Sequence, residues 1–427
     1  MTRYLAIVYK GSCRYAAVFQ TIVCLSILMF WAMPPCASSA DDIRIGVIYP
    51  LSGAHQETGA ALQSAATFAA NIVNGHYNFE IPLAADKGLS RHGGKQIKLI
   101  FADHKGDPEA GRTAAERLIS ENHVHALMGC YNSSVTAKAS EVAERHGVPF
   151  LSATSTSPGL TERGFQWFFR TTPHDGLFAK NFYQFLEDAK AKYKLPSSRI
   201  ALFNENTIWG SGVTDAELHY ARQFNYNVTL SLQYPQNSQN FDYEINLLKE
   251  AAPDILFQAS YFSDALMSIQ GYKRLGFKPR AIIGMNAGFL SSGFIESLGR
   301  DAEGLFSREV WAYDLHKAKP IIKSIAAYYR IRTGNSLNGT SARVITGVFV
   351  LADALNRAAR LDSRSIKASL AETDIPADHL IMPWKGIRFD PKTHQNMLGQ
   401  GIIVQIQQQQ YHTVWPFELA SRDVVLQ

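Results

Sequence analysis

The sequence predicts an α/β protein built as two doubly wound, parallel-sheet lobes. Short apolar segments of strand length alternate with amphipathic segments of helical length, which is typical of βαβ units. The alternation restarts after Pro173, so two successive units follow one another along the chain. A chain of 427 residues, 46% of them hydrophobic and 19% charged, is long enough for two or three domains.

The first unit opens with an apolar run, Ile43 to Ile48, that is typical of a buried strand. In the helix that follows, Leu62 and Phe68 fall on one face, and a later helix opens on Pro108, which a first helical turn tolerates. The predicted strands are 43–48, 97–102, 126–129 and 149–152. The predicted helices are 59–74, 107–122 and 134–146.

The second unit repeats this alternation, and the last third of the chain shows no domain pattern of its own. For the second unit we predict strands 199–203, 228–232, 254–257 and 281–284, and helices 177–194, 212–224, 241–251 and 263–275. For the last third we predict helices 320–333 and 341–360, and strands 306–311, 387–390, 401–407 and 411–415. The glutamine run 407–410 marks the end of a hairpin.

Residues 1–40 have the pattern of a cleaved signal peptide. Basic residues precede an apolar run over 15–33, and the whole segment contains no Asp or Glu. Ser38 and Ala40 stand where a signal peptidase requires small residues, so the mature chain is predicted to begin at Asp41. A retained membrane anchor and a lipid on Cys36 are the alternatives.

The mature chain carries little net charge and a single certain cysteine. The leader holds three basic residues and no acidic ones, so 39 basic and 37 acidic residues remain. This balance gives no reason to expect nucleic acid or an anionic membrane surface as a partner. Because Cys130 is the one cysteine beyond the leader, we expect no internal disulfide and no CxxC metal or redox site.

Polar turns follow two strands of the first unit, at the sheet edge where ligands bind in open α/β folds. Cys130 to Ser134 precedes a helix, and Ser133 and Ser134 are favoured N-cap residues. The first-turn amides beside them have no partner within the helix and can hold a carboxylate or another polar group. The next turn, Ala153 to Pro158, is rich in hydroxyl groups. Simple capping and a loop that satisfies its own backbone are the alternatives.

The corresponding turns of the second unit carry aromatic and amide side chains. Trp209 and Tyr261 follow two of its strands and can form the walls of a pocket, and Asn286 offers both a donor and an acceptor. Ordinary packing of the two aromatic rings is the alternative interpretation.

Several segments closely resemble type I periplasmic binding proteins, in particular the leucine/isoleucine/valine-binding branch that serves ABC importers. The segments are 45–53, 103–108, 129–134, 157–164, 169–171, 302–304 and 386–390. In that family the chain crosses between its lobes at three hinges, which correspond to positions near Thr172, Ser307 and Lys385. The resemblance therefore implies a first lobe of 41–172 and 308–385, and a second lobe of 173–307 and 386–427.

The resemblance also implies which residues contact the ligand. The family's serine for the ligand carboxylate falls on Ser133, and the contacts of the following turn fall on Thr154 and Thr156. Aromatic lids of the second lobe fall on Trp209, in place of a tyrosine, and on Tyr261.

Two positions depart from the amino-acid binders of that family. Asn286 stands where those proteins have an acid for the ligand ammonium, and Thr58 stands where a tyrosine often closes the pocket. A neutral amide cannot give a charge-assisted partner, so the ligand class stays open among amino acids, other carboxylates and amides. An aromatic ligand would have Tyr131 and Trp209 to stack on, and His55 and Glu57 lie close by in sequence.

The expected function is that of a monomeric periplasmic solute-binding protein that delivers its ligand to ABC permease subunits of the inner membrane. No cofactor, metal or catalytic residue is expected, because GxSxG, HExxH and Gly-rich phosphate motifs are absent from the sequence. A ligand sensor that reports to a membrane receptor is the first alternative. An exported hydrolase is the second, since the two carboxylates of a glycosidase leave no local motif.

Overall fold

The computed structural model describes residues 42–81, 83–194, 199–236, 238–291 and 293–426. Its first sheet is parallel throughout, with strand order β2-β1-β3-β4-β5, and the register places Ile43 beside Ile97 and Ile45 beside Ala126. The strands are β1 Ile43–Tyr49, β2 Ile97–Asp103, β3 Ala126–Gly129, β4 Phe150–Ser152 and β5 Phe168–Arg170. The signal peptide predicted over 1–40 lies outside the described residues.

Three helices connect the strands of the first sheet. Asp107 caps the second of them by accepting a 2.7 Å hydrogen bond from the Ala110 amide, and Pro108 occupies its first position. The third ends at Gly147, whose φ of 64° is the left-handed conformation that a glycine adopts without strain. The helices are α1 Gln56–Asn74, α2 Pro108–Ser120 and α3 Ser133–His146.

The second sheet is mixed, with strand order β14-β13-β10-β9-β8-β6-β7. The strands from β6 to β10 are parallel, whereas β13 and β14 join antiparallel. The strands are β6 Arg199–Glu205, β7 Asn227–Tyr234, β8 Ile255–Ala259, β9 Ala281–Gly284, β10 Phe306–Glu309, β13 Ile402–Gln407 and β14 Gln410–Trp415. Its helices are α4 Asp175–Tyr193, α5 Ile208–Gln223, α6 Asp242–Ala251, α7 Phe262–Leu275 and α8 Phe294–Leu298.

The hairpin predicted at the glutamine run is confirmed. Gln408 and Gln409 both have positive φ angles, which is the geometry of a tight two-residue turn between antiparallel strands. The Glu303 carboxylate accepts hydrogen bonds from both of their amides, and this contact holds the strained turn.

The remaining elements belong to the last third of the chain. Helix α10 is almost wholly buried and packs against α1. These elements are α9 Ile321–Thr333, α10 Gly339–Arg357, α11 Ser363–Ala371 and the antiparallel pair β11 Asp374–Pro376 and β12 Gly386–Arg388. Short 3₁₀ turns lie at Gly53–His55, Ser90–His92, Pro158–Leu160, Ala287–Leu290, Gly299–Ala302, Tyr313–Lys317 and Ala377–His379.

Apolar residues cover both faces of each sheet. One hydrophobic cluster runs through both lobes, a second covers the other face of the second sheet, and a third covers the other face of the first. Such double burial explains why inner strands such as β1, β3 and β8 read as apolar runs rather than as alternating patterns. No helix of the described residues is both long enough and apolar enough to cross a membrane.

The predicted α/β fold with two lobes is confirmed, while several short elements were missed. The strand predicted over 306–311 ends at Glu309, and the helix predicted over 341–360 is Gly339–Arg357. Elements β5, α8, α11 and β11 did not stand out in the sequence because they are too short to show a period. The residue boundaries of the lobes stay a prediction.

Candidate functional site

The carboxyl ends of the two parallel strand sets lie opposite each other and touch. The Ser157 hydroxyl, after β4, donates to the Ile208 carbonyl at the start of α5 over 3.3 Å. The Gln236 amide, after β7, lies 3.3 Å from His55 Nε2, before α1. Turns of both lobes therefore enclose one cleft, which is where an open α/β sheet binds its ligand.

The first-lobe wall of the cleft contains the N-terminus of α3. The helix begins at Ser133, so Asn132 is its N-cap, and neither Ser133 nor Ser134 is the cap that the sequence predicted. The Asn132 side chain makes no capping hydrogen bond within the described chain and instead hydrogen-bonds Tyr261. The first-turn amides of α3 thus stay available to an anion, and they lie at the positive end of the helix dipole.

The hydroxyl groups predicted beside this terminus lie next to it. Ser133 Oγ accepts a 3.4 Å hydrogen bond from the Ser157 amide. Thr154 Oγ1 donates to the Cys130 carbonyl over 2.7 Å, and the Thr156 side chain hydrogen-bonds Asp175. Ser133, Thr154 and Thr156 are each at most 5% exposed, so a ligand here would be withdrawn from water.

The aromatic side chains form a cage across the cleft. Tyr261 is its centre, with ring centroids 4.8 Å from Trp209, 5.7 Å from Tyr131 and 4.8 Å from His55. The Thr58 side chain hydrogen-bonds Tyr131. Burial raises the pKa of the Tyr131 hydroxyl to about 12, so this hydroxyl stays protonated. A cavity of about 20 Å³ adjoins Thr58 and Tyr131. A larger groove of about 580 Å³, lined in part by Phe79 to Ile81, contains none of the predicted residues.

Trp209 is held by the first turn of α5. Thr207 caps this helix by accepting from the Trp209 amide over 3.3 Å. The buried Glu205 carboxylate accepts in turn from the Thr207 hydroxyl and from the Gly210 amide, over 2.6 and 2.7 Å. A side chain at Gly210 would place its Cβ 1.9 Å from the Glu205 carbonyl oxygen, so the close approach requires glycine. Helix α5 starts earlier than predicted, and Trp209 lies on it.

Asn286 lies in the cleft in a strained conformation, with φ of 63°. Its side-chain oxygen accepts from the Ala287 amide over 2.6 Å, and its side-chain nitrogen donates to Glu309 over 2.6 Å. Arg343, on α10, also donates to the side-chain oxygen over 3.4 Å. The amide is therefore engaged by the protein on both of its polar atoms.

Four buried charged residues at the base of the cleft were not predicted. Arg308 pairs with Asp175 over 3.4 Å, and Glu309 and Arg343 flank Asn286. Burial raises the pKa of Asp175 and Glu309, and the neighbouring guanidinium groups oppose this rise. The available signal was a pair of charges in the apolar strand 306–311 and an arginine in the apolar run 342–352, because long charged side chains are rarely fully buried.

The structure thus brings all eight predicted residues to one place. One series of contacts joins Thr58, Tyr131, Tyr261 and Trp209. A second series joins Ser133, Thr154, Thr156 and Asn286. The two series meet at Asp175, which contacts both Thr156 and Trp209. His55 belongs to the cage, whereas Glu57 is exposed at the rim. Among the residues that the structure describes, no three His, Cys, Asp or Glu side chains are grouped to hold a metal ion.

Comparison with known proteins confirms the resemblance noted in the sequence. The family model described as "Periplasmic binding protein" matches residues 42–410. The chain is 26% identical over 396 residues to Leu/Ile/Val-binding protein homolog 7 of Brucella suis biovar 1 (strain 1330), covering 91% of this chain and 95% of the relative. It is 27% identical over 384 residues to homolog 8 of Brucella abortus (strain 2308), covering 88% and 91%.

Solved structures share the fold. The leucine-binding protein LivK of Thermotoga maritima MSB8 superposes with a TM-score of 0.74 at 18% identity, over 87% of this chain and 97% of that protein. LivJ of Streptococcus pneumoniae, in complex with isoleucine, gives 0.72 at 20% identity, over 90% and 100%.

Proposed function

We propose that this chain, which belongs to the periplasmic binding protein family, is the solute-binding component of an ABC importer. In this role it captures a small polar solute between its lobes in the periplasm and delivers it to permease subunits of the inner membrane. The observation that carries the proposal is the uncapped N-terminus of α3, which opens on a cleft that both lobes line with buried polar and aromatic side chains.

Capture follows from the distribution of contacts between the lobes. The solute first docks its polar head on the first-turn amides of α3 and on Ser133, Thr154 and Thr156. Closure then brings Trp209 and Tyr261 against it. Because the solute contacts both lobes only in the closed state, it stabilises that state by its differential affinity.

The proposed location rests on the predicted leader. Cleavage after Ala40 would release a mature chain beginning at Asp41 into the periplasm, whereas an uncleaved or lipidated leader would keep the protein at the membrane. The intact mass of the protein purified from whole cells, membranes included, distinguishes these three outcomes.

A thermal-shift screen of the mature chain tests the function. Amino acids, other carboxylates, amides and nucleobases are each added well above micromolar concentration. A solute present at 100 times its Kd stabilises the folded chain by about 2.7 kcal/mol. With an unfolding entropy of about 2.1 cal/mol/K per residue, this raises the Tm of a chain of this length by about 3 °C.

Paired variants locate the binding site. Ser133→Ala removes a hydroxyl at the α3 terminus and is expected to weaken the solute found by the screen about tenfold, as the loss of one hydrogen bond to a charged group does. Ser120→Ala removes an exposed hydroxyl on α2 and serves as the matched control. Equal affinity in the two variants, or no response to any solute class, would refute the proposal.

A further inference from the structure

Two acceptor groups on the walls of the cleft are already engaged by the protein. The Cys130 carbonyl accepts from the hydroxyls of Thr154 and Ser155, over 2.7 and 2.8 Å. The Asn286 side-chain oxygen accepts from the Ala287 amide and from Arg343. A ligand that brings hydrogen-bond donors therefore has to compete with the protein for these two acceptors.

Arg343 brings its positive charge to acceptors on both walls of the cleft. Its guanidinium donates to the Thr154 carbonyl over 3.3 Å and to Asn286 over 3.4 Å, so it bridges the first-lobe wall and the second-lobe wall. The resemblance to amino-acid binders places the partner of the ligand ammonium at Asn286. Arg343 is 2% exposed, and an ammonium at this place would meet a buried cation of like charge.

Glu309, the nearest acid, serves the protein rather than the cleft. One of its carboxylate oxygens accepts from Asn286 over 2.6 Å. The other oxygen has no hydrogen-bond partner in the described chain and lies against Gly339 at the N-terminus of α10, where an added Cβ would be only 1.7 Å away. The helix dipole and the Asn286 amide thus hold this carboxylate in place.

Within the described chain, unpartnered donors also remain at the base of the cleft, beside one unpartnered oxygen each of Asp175 and Glu309. Arg343 Nε and Arg308 Nε and Nη1 are buried without a hydrogen-bond partner among the described residues. Arg308 is neutralised by Asp175, which also keeps one buried oxygen without a hydrogen bond in the described chain. Together with the amides of α3, these groups favour a ligand rich in acceptors.

We propose, on the basis of the function proposed above, that the solute is a small carboxylate without an ammonium group, such as a 2-oxo acid. Arg343 is then the residue that determines this specificity. It donates to the ligand's oxygens, and it occupies the acceptors that an α-amino acid requires. An ammonium buried beside the Arg343 guanidinium, with the Thr154 and Asn286 oxygens already occupied, carries a large penalty, so discrimination of about 100-fold or more is expected.

Matched ligand pairs test the proposal on the unmodified protein. Leucine is compared with 4-methyl-2-oxopentanoate and 4-methylpentanoate, and phenylalanine with phenylpyruvate, by isothermal titration of the mature chain. The expected result is that the amino-free acid of a pair binds at least 100-fold more tightly. Tighter binding of the amino acid overturns the inference and leaves the binding function intact. If neither class binds, and no other solute in the screen binds, the result counts against the function itself.

Variants of Arg343 test its assigned role. Arg343→Met keeps the length of the side chain and removes the charge, and it is expected to weaken the best carboxylate at least 100-fold. Arg343→Lys keeps a charge with fewer donors and is expected to retain part of the affinity. Arg332→Met, at an exposed position of α9, is the matched control. Circular dichroism checks that the Arg343 variants are folded. If a folded Arg343→Lys or Arg343→Met binds carboxylates as tightly as the control does, the assignment is wrong.

Discussion

Replacing Asp175 with asparagine removes the ion-pair partner of Arg308 while keeping the volume of the side chain. The pair spans 3.4 Å, and the two side chains are 0% and 2% exposed. Arg308 also packs over the Phe178 ring, with 3.9 Å from Cζ to the ring centroid. That contact remains in the variant, but two of the guanidinium nitrogens already lack partners in the described chain. The substitution therefore leaves a poorly compensated buried cation.

The size of the effect follows from this geometry. At an effective dielectric of about 20, two unit charges 3.4 Å apart attract by about 5 kcal/mol. Loss of one partner of a buried pair destabilises proteins by about 3–5 kcal/mol. With an unfolding entropy of about 2.1 cal/mol/K per residue, we expect the Tm of Asp175→Asn to fall by about 4–6 °C.

Scanning calorimetry of the mature chain measures this change, with Asp374→Asn as the control. Asp374 forms a 2.9 Å pair with Arg388, but both side chains are more than half exposed. Exposed pairs contribute less than about 1 kcal/mol, so the control should melt within about 1 °C of the unmodified chain. An Asp175→Asn variant that melts with the control would refute the reasoning about the buried pair.

Three further predictions concern other parts of the cleft. Burial lowers the pKa of both His55 and His104 to about 4. The free energy of unfolding should therefore fall by up to about 3 kcal/mol per ring between pH 6.5 and pH 4, which urea titrations across that range measure. Trp209→Ala should raise the Kd of the captured solute about 30-fold by titration, because buried aromatic anchors contribute about 2 kcal/mol or more. The Cys130 thiol, whose pKa burial raises, should react with iodoacetamide only after the chain is unfolded.

Each of these three predictions can be contradicted by a specific result. The sign of the pH effect follows from the neutral folded rings, since the unfolded chain takes up protons first as the pH falls below 6.5. A stability that stays flat to pH 4, or one that His55→Gln and His104→Gln leave equally steep, contradicts it. Trp167 lies near Gly147, at the far end of α3, so Trp167→Ala should bind normally. Rapid labelling of the native thiol would show that β3 is not buried as described.

Local patterns predicted the α/β fold and the turns that line the cleft. The apolar strands and the turns after them could be read from residues close together in sequence. Because strand ends of a parallel sheet meet at one edge, the turns that carry Ser133 and Thr154 could be placed together, and so could those that carry Trp209 and Tyr261. The choice of Thr154 itself, and the meeting of the two sets in one cleft, followed from the resemblance to periplasmic binding proteins. The N-cap of α3 was misassigned because Asn132 and the serines after it are all favoured cap residues.

The charged base of the cleft could not be predicted in the same way. Arg343 and the Thr154 carbonyl are 189 residues apart in sequence, and Arg308 and Asp175 are 133 apart. Such pairs depend on how helices and strands far apart in the chain pack, which no local period encodes. A charge within an apolar run indicates an unusual burial, but it does not name the partner.

A crystal structure of the mature chain with the solute that gives the largest thermal shift tests the capture site most directly. A carboxylate oxygen of that solute should lie about 2.7–3.2 Å from a first-turn amide of α3. Another should accept from Arg343, with the Trp209 and Tyr261 rings closed over the molecule. A solute bound outside the cleft, or one whose acidic group points away from α3, would contradict this account.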